Sequence, residues 1–105
     1  MEIEQVGIPE PPPKNAGIVV ADSLIDWLET QPDSDVMIDI IAERDRFGRE
    51  KYGQPLRTED GRNEIVDAVQ EFADLMMYIQ KAKLRGTDLT PIKVLLPFLL
   101  SILHN

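Results

Sequence analysis

Large apolar residues recur along this chain with the period of a helix, and no stretch shows the two-residue alternation of a half-buried strand. Ile25, Trp27 and Leu28 give a short helix its packing side over about residues 21–30, with Trp27 read as core. Gln31-Pro32-Asp33-Ser34 breaks the chain, and Asp33 or Ser34 can cap a second helix over about 35–51, which stops at Gly53. The stretch 54–61 has turn residues at both ends. A third helix follows over about 62–85, with Lys81, Lys83 and Arg85 complementing its dipole and Gly86 ending it. Thr90-Pro91 starts a fourth helix, with proline in its first turn. Residues 1–17 hold Pro9, Pro11, Pro12 and Pro13 and few large apolar side chains. They read as an extended or disordered arm, a plain tail or a polyproline-type ligand for a partner. Residues 18–105 read as a single helical domain. The expected fold is all-α, a three- to four-helix bundle.

Within the third helix the polar positions form a stripe. At about 100° per residue, Glu64, Asp67, Glu71 and Asp74 fall within roughly an 80° arc, and apolar residues hold most of the remaining circumference. A surface helix normally has the opposite proportion, so the pattern predicts acids facing a crevice. Like charges three and four residues apart repel. A divalent cation with oxygen ligands, Mg²⁺ or Mn²⁺, would relieve that repulsion. Metal-dependent chemistry on a phosphate-bearing substrate follows as the expectation. Glu64, at the helix start, reads as a dipole-favoured acid.

The second helix repeats the pattern in weaker form. Asp35, Asp39, Glu43 and Glu50 share a narrow arc with Arg46, while Met37, Ile38, Ile40 and Ile41 supply packing. If the two long helices lie antiparallel, their acidic faces can meet across a shared groove, where four or five carboxylates could hold one to three Mg²⁺ ions. The other reading of each stripe is a solvated face.

Composition narrows the function classes. At 105 residues and 43% hydrophobic content, the chain is one domain with a small core. A formal charge of −8 excludes a general nucleic-acid binder, which needs a basic face. It leaves a nucleotide substrate open, because a bound metal reverses the local field. Cysteine is absent, which excludes disulfides and thiolate metal sites. The longest apolar run, Val94 to Leu103, is interrupted by Pro97 and is too short to cross a bilayer. With no signal peptide visible, the expected location is the cytoplasm. His104, the only histidine, sits at the chain end, away from any chemistry.

Glu43-Arg44, Phe47-Gly48, Lys51-Tyr52-Gly53, Pro55-Leu56, Gly61-Arg62 and Asp67-Ala68 followed by Glu71, Asp74 and Tyr78 resemble phage and bacterial MazG-like proteins. These belong to the all-α nucleoside triphosphate pyrophosphohydrolase superfamily. The resemblance spans about residues 43–82. It implies hydrolysis of (deoxy)nucleoside triphosphates to the monophosphate and pyrophosphate, with Mg²⁺ as cofactor and Mn²⁺ as substitute. For a phage-encoded member the location would be the host cytoplasm. The family signature pairs Glu-x-x-Glu on one helix with Glu-x-x-Asp on the next. Glu71-Phe72-Ala73-Asp74 matches the second element, whereas the first is present only as Asp39…Glu43 or Glu43…Glu50. A register in which Glu71 and Asp74 answer to the first element leaves the set incomplete, since the last helix has no Glu-x-x-Asp.

The resemblance implies Glu43, Glu50, Glu71 and Asp74 as metal ligands, and Asp67 or Glu43 as the base that orients or deprotonates water. Lys51, Arg62 and Lys81 are the expected phosphate-binding cations, although Arg62 can instead pair with Glu59 or Asp60. Tyr52 and Tyr78 are candidates for contact with the base or sugar, against a core role for either. The last helix is apolar nearly all round, too much for a chain this small to bury. It therefore predicts a homo-oligomer, dimer or tetramer. The alternative reading of the whole chain is a non-catalytic helical interaction module with acidic solvated faces.

Overall fold

The computed structural model describes residue 12 and residues 14–105, and the remainder of the Pro-rich arm lies outside them. Four helices follow in order: α1 (Val20–Leu28), α2 (Asp35–Tyr52), α3 (Glu64–Arg85) and α4 (Thr90–His104). No strand occurs among the described residues, so the fold is all-α. Among the described residues, no helix is long and apolar enough to cross a membrane. The chain divides into two compact units, one running to Asn63 and the other covering Glu64–Asn105.

In the first unit α1 packs on α2. Leu28, at the end of α1, is fully buried, and the chain reverses directly after it. The Thr30 hydroxyl donates to the Trp27 carbonyl at 2.6 Å, Pro32 follows, and Asp33 turns through a left-handed conformation. Ser34 occupies the N-cap position of α2, buried, with its carbonyl accepting Ile38 N–H at 2.9 Å. Its side chain makes no cap hydrogen bond. Gly53, in the left-handed region, ends α2 by donating to the Arg49 carbonyl at 2.8 Å.

Beyond Gly53 the chain returns alongside residues 14–20. Val20 N–H donates to Leu56 C=O, Thr58 N–H to Ile18 C=O, Glu59 N–H to Ala16 C=O and Lys14 N–H to Asp60 C=O, at 2.6 to 3.1 Å. Val19 and Arg57 form an antiparallel bridge. Gly17 (φ 91°) lets the two segments meet this closely: a Cβ there would lie 2.7 Å from Glu59 N. Arg57 fastens the ribbon, its Nε donating to Asn15 Oδ1 at 2.6 Å and its Nη1 to the Gly17 carbonyl at 2.8 Å. Residues 14–17, expected as part of an extended or disordered arm, are hydrogen-bonded into the first unit. Helical periodicity carries no signal of this pairing, because it joins irregular segments about forty positions apart.

In the second unit α3 closes at Gly86, with Thr87 N–H donating to the Ala82 carbonyl at 2.8 Å. The pattern is of the Schellman type. Asp88 Oδ1 accepts both the Thr90 N–H at 3.0 Å and the Thr90 hydroxyl at 2.7 Å, and so covers the first turn of α4. The acceptor comes from Asp88 rather than from the N-cap residue, Leu89. Pro97 inside α4 leaves one carbonyl of that helix without its usual N–H. Only Val66 is fully buried on α3, and no residue of α4 is.

Candidate functional site

Because α3 is helical throughout, Glu71, Asp74, Tyr78 and Lys81 follow at i, i+3, i+7 and i+10 along one side of it. The predicted stripe is real, but it is not in a crevice: Glu64, Glu71 and Asp74 are exposed and Asp67 is half-buried. Of the apolar residues on the rest of the circumference, Phe72, Met76 and Met77 are themselves exposed. Tyr78 and Lys81 likewise face solvent.

The acids on α2 are in a different state. Arg46 sits between Glu43 and Glu50, one turn from each, and pairs with both. Its Nη1 reaches Glu50 Oε1 at 2.7 Å, and its Nε reaches Glu43 Oε2 at 3.1 Å. Hydrogen bonding from Arg46, and then its positive charge, hold the Glu43 carboxyl below its ordinary range and raise the Arg46 guanidinium in return. Arg49 and Asp45 make a second such pair at 2.9 Å. On α2, Glu43, Glu50 and Asp45 are thus each paired with an arginine of their own helix. Asp35 and Asp39 are exposed on the same helix.

Near the end of α2, the Lys51 ammonium lies 5.2 Å from the centre of the Tyr52 ring, and both side chains are exposed. Arg62 is half-buried in the turn before α3, and its backbone N–H donates to Asp60 Oδ1 at 3.0 Å. Asp60 is 5% exposed, and its Oδ2 is buried with no hydrogen-bond partner. Neither this burial nor the fastening role of Arg57 was visible in the sequence, where the only signal was an ordinary Asp-Gly turn.

Glu43, Glu50, Lys51, Tyr52 and Arg62 belong to the first unit; Asp67, Glu71, Asp74, Tyr78 and Lys81 belong to the second. Among the described residues, no three His, Cys, Asp or Glu side chains gather into a group that could hold a metal ion. The fit to Mg²⁺ rests on a smaller set. This ion commonly uses one or two carboxylates and completes its octahedron with water and substrate phosphate. Glu71 and Asp74, exposed on adjacent turns, meet that requirement in donor type and number. Glu43 and Glu50 meet it only after Arg46 lets go.

No protein-family model, curated protein or solved structure matches this chain.

Proposed function

We propose that this chain is a Mg²⁺-dependent nucleoside triphosphate pyrophosphohydrolase. In this reading it works as a cytoplasmic homo-oligomer, dimer or tetramer, and Mn²⁺ substitutes for Mg²⁺. The observation that carries the reading is the side of α3 where Glu71 and Asp74 precede Tyr78 and Lys81. Two oxygen donors for a cation are followed along one line by a phenol and an ammonium suited to sugar and phosphate.

Glu71 and Asp74 would hold Mg²⁺, which when bound neutralises phosphate charge and makes a water molecule more acidic. Asp67, half-buried one turn before Glu71, orients a water and takes its proton as the oxygen bonds to the α-phosphorus. The bond from that phosphorus to the bridging oxygen breaks, and pyrophosphate leaves with the bonding pair. Lys81 stabilises the charge that spreads over the departing group. Glu43, the other candidate base, is already committed to Arg46. Lys51, Tyr52 and Arg62 keep the substrate-binding roles implied by the resemblance.

A panel of ribo- and deoxynucleoside triphosphates, assayed for pyrophosphate with Mg²⁺ or Mn²⁺, tests the reading and reports base preference. Release from at least one nucleotide is expected, with Asp67→Asn lowering kcat on the order of 100-fold. No release from any nucleotide, together with unchanged Mn²⁺ binding in Glu71→Gln, would overturn it.

One observation favours the second reading, a non-catalytic interaction module. Glu43 and Glu50 share Arg46 as an ion-pair partner within the chain, as on an ordinary solvated face. The same panel decides between the two.

A further inference from the structure

Gly48 stands in the interior of α2, where glycine weakens a helix relative to alanine. Among the described residues nothing requires it. Its φ lies outside the left-handed region, and a Cβ there would meet no atom within 4 Å. Gly53, by contrast, is held to glycine by its positive φ. A glycine with no internal reason marks a place where a ligand can come close to the backbone.

The side chains around Gly48 define what that ligand must be. At about 100° per residue, Arg44, Phe47, Gly48, Lys51 and Tyr52 fall within roughly a 140° arc, with the two rings at its edges. Phe47 is 47% exposed and Tyr52 50%. Each ring carries a cation: the Arg44 guanidinium lies 4.7 Å from the centre of Phe47, and the Lys51 ammonium 5.2 Å from that of Tyr52. Among the described residues neither Arg44 nor Lys51 forms an ion pair, whereas Arg46 and Arg49 are paired with acids. In a chain of formal charge −8, two rings and two unpaired cations thus surround a bare stretch of backbone. A packed apolar helix would strand both charges. A flat π-system bearing anionic groups satisfies rings and cations together, and nucleotides have that chemistry.

We infer that Gly48 is the floor of a nucleobase platform, on which the base of a nucleotide lies against the backbone of α2 between Phe47 and Tyr52. Stacking on the rings supplies affinity, and Arg44 and Lys51 meet the negative charge of the ligand. The choice of ligand rests on the proposed nucleotide chemistry. The platform itself stands on α2 and requires neither the metal nor the hydrolysis. Arg44, Phe47 and Gly48 thereby join Lys51 and Tyr52 as determinants of substrate binding.

Substitution of Gly48 separates a ligand floor from a packing role. At fixed protein concentration Gly48→Ala should raise the melting temperature, because alanine is the better helix former and its methyl enters open space. The same variant should bind nucleotide more weakly. Calorimetric titration of the full chain measures this, using α,β-methylene nucleoside triphosphates with Mg²⁺, since their α–β link resists cleavage. Phe47→Leu should weaken binding roughly 10-fold by removing one stacking ring, and Phe47→Tyr should restore it. Inorganic triphosphate, which has no base to stack, should bind at least about 10-fold more weakly than the best analogue. Where pyrophosphate release is measurable, Phe47→Leu should raise KM more than it lowers kcat. A more stable Gly48→Ala that binds like the wild type overturns the platform, as does inorganic triphosphate that binds as tightly as the analogues. A lowered melting temperature in Gly48→Ala would reveal an internal packing need and also count against it. Binding that depends on Gly48 and Phe47 without pyrophosphate release supports the platform and removes the enzyme. Release with a KM indifferent to both residues removes the platform and keeps the enzyme.

Discussion

Asp60 shows how unevenly one carboxylate can be served. Its Oδ1 holds the Arg62 N–H at 3.0 Å, whereas its buried Oδ2 has no donor. Asp60→Ala should cost about 1–3 kcal/mol, the usual penalty for stranding a polar partner. Asp60→Asn keeps the needed acceptor and removes the anionic oxygen, so it should be near neutral or stabilising. Urea unfolding of both variants checks this; equal losses would mean that Oδ2 has a donor after all. At Glu43 the deciding partner is Arg46, whose hydrogen bond lowers the carboxyl pKa. A carboxyl lowered on folding contributes above its unfolded pKa, and that contribution disappears as pH falls through the folded value. An NMR titration of the Glu43 carboxyl should therefore give a midpoint below the ordinary range in wild type. In Arg46→Gln the midpoint should return toward that range.

Among the elements, glycine separates two kinds of constraint. At Gly53 (φ 74°) a Cβ would meet nothing within 4 Å, so Gly53→Ala should cost about 1 kcal/mol, from the backbone alone. At Gly17 the same methyl would enter the ribbon, 2.7 Å from Glu59 N. Gly17→Ala should cost clearly more and loosen residues 14–20 from 56–60, as amide hydrogen exchange at Thr58 and Glu59 would show. The start of α4 depends on Asp88, whose carboxyl is lowered first by the Thr90 N–H and then by the Thr90 hydroxyl. Acid should remove this cap only below the ordinary aspartate range, visible as a shift of the Thr90 amide resonance. Asp88→Asn should abolish that titration while keeping an acceptor.

At the scale of the whole molecule, the imbalance between apolar content and burial dominates. Leu28 and Val66 are the only fully buried apolar residues described, although 43% of the sequence is hydrophobic. The proposed homo-oligomer would have a stability linked to concentration. It predicts a melting temperature that rises with protein concentration. A melting temperature independent of concentration would count against the proposed homo-oligomer.

Local chemistry accounts for the features that could be read in advance. The helical period, the Pro32 break and the stops at Gly53 and Gly86 depend on neighbours within a few residues, and all four helices lie near their expected bounds. The acidic stripe on α3 was legible for the same reason, since helix geometry alone puts Glu71 and Asp74 on adjacent turns. What surrounds such residues depends on segments distant in the chain. Arg57 finds Asn15 and Gly17 42 and 40 positions back, and Lys14 reaches Asp60 across a similar span. No periodicity encodes those meetings. Burial of Asp60, exposure of Glu71 and closure of Glu43 and Glu50 on Arg46 are therefore results of tertiary placement and side-chain pairing. An amino-acid pattern specifies which side of a helix is acidic; only the folded chain decides whether that side meets water, an arginine or another helix.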